Sequence, residues 1–173
     1  MTETAARWQG FGTTIFTEMS ALAERTGAIN LGQGFPDEDG PAEVLEAAAR
    51  AIREGHNQYA PLPGVPALRS AIAEHQRRFY GIELDPDTQV QVTFGATEAI
   101  AAALLGLCEP GDEVVCFEPY YDSYAAGIAM AGATRRPVTL RPPDWAVDLD
   151  ALSDAISARS RMLLLNTPHN TTG

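Results

Sequence analysis

Apolar residues in the first half of the chain fall at helical spacing, and in the second half they gather into short runs separated by longer helical stretches. Ile15, Met19 and Leu22 share one helical face, which predicts a helix over residues 14–25, closed by Gly27. Pro41 opens a second helix reaching Arg53, because a first-turn position tolerates its missing N–H. A third helix begins at Pro66 and carries Leu68, Ile72 and Phe79 along one stripe. Residues 1–12 form an arm, 29–37 an extended segment entering a glycine-rich loop, and 57–64 a loop. Asp85-Pro86-Asp87 is a turn signal.

From Gln89 the period changes. Residues 90–94, 113–117, 134–138 and 161–165 are apolar enough for strands, and 97–107, 120–130 and 148–156 carry helical patterns. Strands alternating with helices imply βαβ units and a mainly parallel sheet, so the expected fold is α/β with three layers. Residues 99–107 are apolar all round, which suits burial between layers.

Composition narrows the function classes. The chain is 45% hydrophobic and 20% charged, ordinary for a soluble domain. No apolar run approaches the ~20 residues that span a bilayer, and residues 1–12 lack a leader pattern. A cytoplasmic location is expected. Cys108 and Cys116 lack metal-type spacing and lie in apolar stretches, so buried, reduced core residues are expected. A net charge of −11 argues against nucleic acid or an anionic membrane as partner. It leaves room for a small anion held by backbone amides. No internal repeat or low-complexity tract is present.

Ligands of open α/β sheets bind beyond the carboxyl ends of the strands, and three loops fall there. Phe94-Gly95-Ala96-Thr97-Glu98 joins an expected strand to its helix. It is either a phosphate cradle of backbone amides and the Thr97 hydroxyl, or an ordinary glycine turn with Thr97 as N-cap. Glu118-Pro119-Tyr120-Tyr121-Asp122-Ser123-Tyr124 supplies three tyrosines, either to stack on a planar ligand or to pack the helix start. In the third loop Asn166 and Asn170 bracket Pro168, and an asparagine amide can both donate to and accept from a ring substituent. His169 is a candidate base or a structural hydrogen-bonder.

A phosphate cradle, an aromatic plate and an asparagine suit a flat phosphorylated heterocycle. The motifs Asn30-Leu31-Gly32-Gln33-Gly34-Phe35-Pro36-Asp37, Asn57-Gln58-Tyr59, Gly95-Ala96-Thr97-Glu98-Ala99, Glu118-Pro119-Tyr120-Tyr121-Asp122 and Asn166-Thr167-Pro168-His169-Asn170 occur in that order. In this the chain resembles the N-terminal part of a class I/II, fold-type-I aminotransferase that uses pyridoxal 5′-phosphate. The similarity is greatest to kynurenine, glutamine, methionine or succinyldiaminopimelate transaminases.

The resemblance implies a role for each matching residue. Ala96 and Thr97 would hold the cofactor phosphate, Tyr121 would stack on its ring, and Asn170 would bond its phenolic oxygen. Gly34 and Asn166 would bind the substrate carboxylate. Tyr59 would reach the phosphate of a neighbouring subunit, which implies a homodimer. Residues 1–40 would form the arm and a small-domain segment, and 41–173 the N-terminal portion of the cofactor-binding large domain. The implied activity moves an amino group between an amino acid and a 2-oxo acid.

Two departures stand out. All twelve basic residues are arginine, so no side-chain amine can serve as the Schiff-base lysine the resemblance implies. The chain as given is therefore expected to be an incomplete fold, inactive alone and poorly soluble. A related lyase or synthase of the same fold, or a non-catalytic remnant, are the alternatives. Thr171 also stands where the family usually has proline. If the proline bond is cis, threonine would cost ~2.5–4 kcal/mol to hold that shape; a trans bond would shift Asn170 instead.

Overall fold

The computed structural model describes residues 4–34, 36 and 38–173. Met1–Glu3, Phe35 and Asp37, which belong to the expected arm and glycine-rich segment, lie outside the described residues. Two compact units divide the chain: Ile15–Thr93, and Met1–Thr14 together with Phe94–Gly173.

The unit Ile15–Thr93 carries helices α1 (Ile15–Thr26), α2 (Ala42–Arg53) and α3 (Pro66–Tyr80). Pro41 is the N-cap of α2 rather than its first residue, whereas Pro66 does open α3. Arg69 of α3 is buried; its guanidinium donates to the Pro86 carbonyl at 2.6 Å and pairs with Asp87 at 3.1 Å. The expected turn is present there, with the Asp85 carboxylate accepting from the Asp87 N–H and the Thr88 hydroxyl.

Residues 90–94 do not form the expected strand. Their pattern suits one, but a strand needs a ladder partner, and none pairs with them among the described residues. A bond from the Val92 N–H to the Pro63 carbonyl at 3.0 Å holds the segment, and Val90 is buried.

The second unit is built from α4 (Gly95–Leu107), β1 (Glu113–Glu118), α5 (Ser123–Met130), β2 (Thr134–Thr139), α6 (Leu149–Ala155) and β3 (Ser160–Leu164). The three strands are parallel in the order β2-β1-β3, with Val114 beside Arg135 on β2 and Met162 on β3. Central β1 is buried along almost its whole length, as expected when both faces are covered. Val114 packs with Leu104, Cys108, Ile128 and Ala131 from α4, α5 and their ends. Val115 and Phe117 pack on the opposite face with Val138, Leu140 and Ala155. Helices therefore cover both faces of the sheet, the three-layer arrangement expected.

Helix α4 corrects one expectation. Only Leu104 is fully buried along it, while Leu105 and Leu107 are more than half exposed. An all-apolar helix is thus covered on one side only by the described residues. Helix α5 starts at Ser123, later than expected, with Asp122 as its N-cap and residues 119–121 irregular. Both cysteines are free and buried, and burial pushes the Cys116 thiol up to about 11.

Candidate active site

Parallel strands bring the loops after β1 and β3 to one end of the sheet. The Leu107 carbonyl at the C-terminus of α4 accepts from Arg161 Nε at the start of β3, at 2.8 Å. The N-terminus of α4 is thereby directed toward the strands' carboxyl ends. Ala96, Thr97, Tyr121, Asn166 and Asn170 all belong to this unit.

At the start of α4, Phe94 is the N-cap and contributes no side-chain cap; Thr97 lies inside the helix, which excludes it as N-cap. Gly95 has φ +78, and a Cβ there would meet nothing within 4 Å, so the turn is open to a ligand. Ala96 and Thr97 are exposed in the first turn, where amides have no intrahelical acceptor. Glu98 reaches back to accept the Phe94 N–H, a side-chain closure of the turn that its placement one turn after Phe94 makes legible.

After β1, Tyr121 is half-buried and Tyr124 buried, their rings meeting edge-on at 6.1 Å and 71°. The Tyr124 N–H donates to the Tyr121 carbonyl at 3.0 Å. Burial raises the Tyr124 phenol above its ordinary value, helped by neighbouring Tyr121; a hydrogen bond from Asn166 works the other way. Tyr120 points elsewhere, its ring lying 4.7 Å from the Arg135 guanidinium on β2. Of three tyrosines treated alike in the sequence, Tyr121 is half-buried, Tyr124 is buried against it and Tyr120 packs on Arg135 of β2.

After β3, His169 Nδ1 lies 2.8 Å from the Thr172 hydroxyl, a structural role. The Thr171 N–H donates to the His169 carbonyl at 3.0 Å, and its hydroxyl reaches the Pro119 carbonyl at 3.5 Å. Cis bonds precede Pro119, Pro143 and Pro168, and Asn170–Thr171 is not among them. Threonine at this position is therefore accommodated in trans, and Asn170 is exposed. Gly34 and Tyr59 belong to the other unit, where Tyr59 is fully exposed.

The sequence profile described as aminotransferase class I and II matches residues 26–173. The chain belongs to that family. This aminotransferase chain is 58% identical over 172 residues to the probable N-succinyldiaminopimelate aminotransferase of Mycobacterium tuberculosis, covering 98% of the chain and 43% of that relative. It is 52% identical over 159 residues to the methionine aminotransferase of Escherichia coli, covering 92% and 41% respectively. The solved structure of the mycobacterial N-succinyldiaminopimelate aminotransferase superposes with a TM-score of 0.93 at 57% identity, over 98% of this chain and 45% of that one. Aspartate aminotransferase of Thermus thermophilus bound to maleate gives 0.88 at 34% identity, over 98% and 46%. The aminotransferase chain thus spans less than half the length of these relatives. Among its described residues no helix is long and apolar enough to cross a membrane.

Proposed function

We propose that this chain is the N-terminal portion of a pyridoxal-phosphate-dependent transaminase, working in the cytoplasm as a homodimer and moving an amino group between an amino acid and a 2-oxo acid. The observation that carries this is its identity of 58% to a curated aminotransferase over 98% of the chain. Residues 1–40 supply the arm and a small-domain segment, and 41–173 the start of the cofactor-binding domain.

The chain's own residues fit the cofactor in three respects. The open turn at Gly95 and the first-turn amides of Ala96 and Thr97 suit a phosphate, where the helix dipole favours an anion. Half-buried Tyr121 offers a ring face, and exposed Asn170 offers an amide to the phenolic oxygen. When bound, pyridoxal phosphate supplies an electron sink, and the protein supplies orientation and electrostatics. The Asn166 amide can both donate to and accept from the substrate carboxylate, and the family resemblance assigns the Gly34 amide to carboxylate binding as well. Tyr59, fully exposed in one protomer, reaches the phosphate bound by its partner. No lysine occurs in the 173 residues, so these side chains bind and orient the cofactor without bonding to it.

Calorimetric titration with pyridoxamine 5′-phosphate, which brings its own amine, tests the site. Micromolar binding is expected, about −7 to −8 kcal/mol. Thr97→Val removes one donor to a charged phosphate and should weaken binding ~10-fold or more. No binding at millimolar ligand would overturn the assignment.

A further inference from the structure

Asn170 is exposed in the third loop, and its neighbours on either side are tied to each other around it. The His169 carbonyl accepts from the Thr171 N–H at 3.0 Å and from the Gly173 N–H at 2.9 Å. The second bond closes a five-residue turn, and the first a three-residue turn with Asn170 at its centre. Across the same turn His169 Nδ1 meets the Thr172 hydroxyl at 2.8 Å. A hydroxyl both donates and accepts, so either ring tautomer makes this bond. His169 and Thr172 are half-buried, whereas Asn170 and Thr171 between them are exposed.

Threonine at 171 is what gives this clamp its weight. A proline there would fix φ through its ring and would have no N–H to give. Thr171 leaves φ free, so the turn depends on hydrogen bonds for its shape. To the backbone bonds the side chains of His169 and Thr172 add one more, closing the turn around Asn170. We propose that His169 is a positioning residue: bonded to Thr172, it locks the turn whose backbone carries the Asn170 amide. This rests on the assignment of Asn170 to the cofactor's phenolic oxygen made above. A turn that opens presents Asn170 correctly only in its closed fraction, and apparent affinity falls by that fraction.

The test compares two ligands on the intact protein by calorimetric titration. One is pyridoxamine 5′-phosphate; the other is its 3-deoxy analogue, which keeps the phosphate and the ring but has no phenolic oxygen. His169→Leu and Thr172→Val are each expected to weaken the first ~3–10-fold, about what one net hydrogen bond supplies, and to leave the second unchanged. Thr172→Ser, which keeps the hydroxyl, should bind like the unsubstituted protein. Asn170→Ala removes the group being positioned, so adding His169→Leu to it should cost nothing more. Full affinity for pyridoxamine 5′-phosphate in His169→Leu would overturn the positioning role. Equal loss of both ligands would overturn it too, because a loop that merely unfolds does not act through the phenolic oxygen. If the unsubstituted protein binds neither ligand, the cofactor assignment itself falls, and the positioning role with it.

Discussion

Gly64 is tightly constrained: its φ is +99, and a Cβ there would lie 2.4 Å from Cγ2 and 2.7 Å from Cβ of Val92. Alanine would meet both left-handed strain, ~1–2 kcal/mol, and an overpacking term of about 1–3 kcal/mol. Gly64→Ala is therefore expected to cost roughly 2–5 kcal/mol, seen as a lower urea midpoint, and Val92→Ala in the same chain should restore part of it. Equal loss with and without Val92→Ala would mean that backbone strain alone acts. Gly95 also has positive φ, +78, but with open space around it, so alanine there meets strain without a clash. Both glycines were legible in the sequence as loop punctuation. Which one is packed and which one is open depends on Val92, a neighbour 28 positions away in sequence and in contact only once folded.

Among elements, the sheet is stitched at its base by one carboxylate. Glu113 opens β1 and is almost fully buried, accepting from Ser157 at 2.7 Å and from Arg159 at 2.5 Å, with Arg136 of β2 at 3.8 Å. The Ser157 bond and both guanidiniums hold its pKa below the ordinary 4.5, against the effect of burial. A depressed folded pKa means that the stability from ionised Glu113 is present above 4.5 and is lost as pH falls below it through the lowered value. The melting temperature should thus drop as pH falls through that window, and Glu113→Gln should be less stable at neutral pH with a flatter acid limb. An acid limb unchanged in Glu113→Gln would assign the loss to other carboxylates. Nothing in the sequence distinguishes Glu113 from its acidic neighbours; its partners sit on the α6–β3 connection and on β2, which only the parallel pairing brings together.

At the scale of the whole molecule, the two sheet edges differ. β2 carries Arg135, Arg136 and Pro137, all exposed, which discourage further pairing. β3 presents Leu163 at 41% and Leu165, just past its end, at 65% exposure; its one charged residue, Arg161, sits at its start and is tied to the Leu107 carbonyl. Together with Leu105 and Leu107 of α4 they leave apolar surface that invites association. The 173-residue chain by itself should self-associate at micromolar concentration, and Leu163→Thr with Leu165→Lys should raise the monomer fraction in sedimentation velocity. A monodisperse monomer without those changes would show that the edge is harmless.

The parallel α/β class, most of the element order and the family motifs were determined by the sequence alone, because hydrophobic period and turn chemistry are local and the motifs follow one another in a fixed order. The three-layer expectation held for the same reason: βαβ connections leave few other arrangements. Strand 90–94 and the burial of α4 were not determined locally. A strand exists only with a hydrogen-bonded neighbour, and an apolar helix is buried only if something covers it. The different surroundings of Tyr120, Tyr121 and Tyr124 were likewise decided by tertiary structure, since only the fold sets Tyr120 over Arg135 and the Tyr124 ring, itself buried, edge-on to Tyr121.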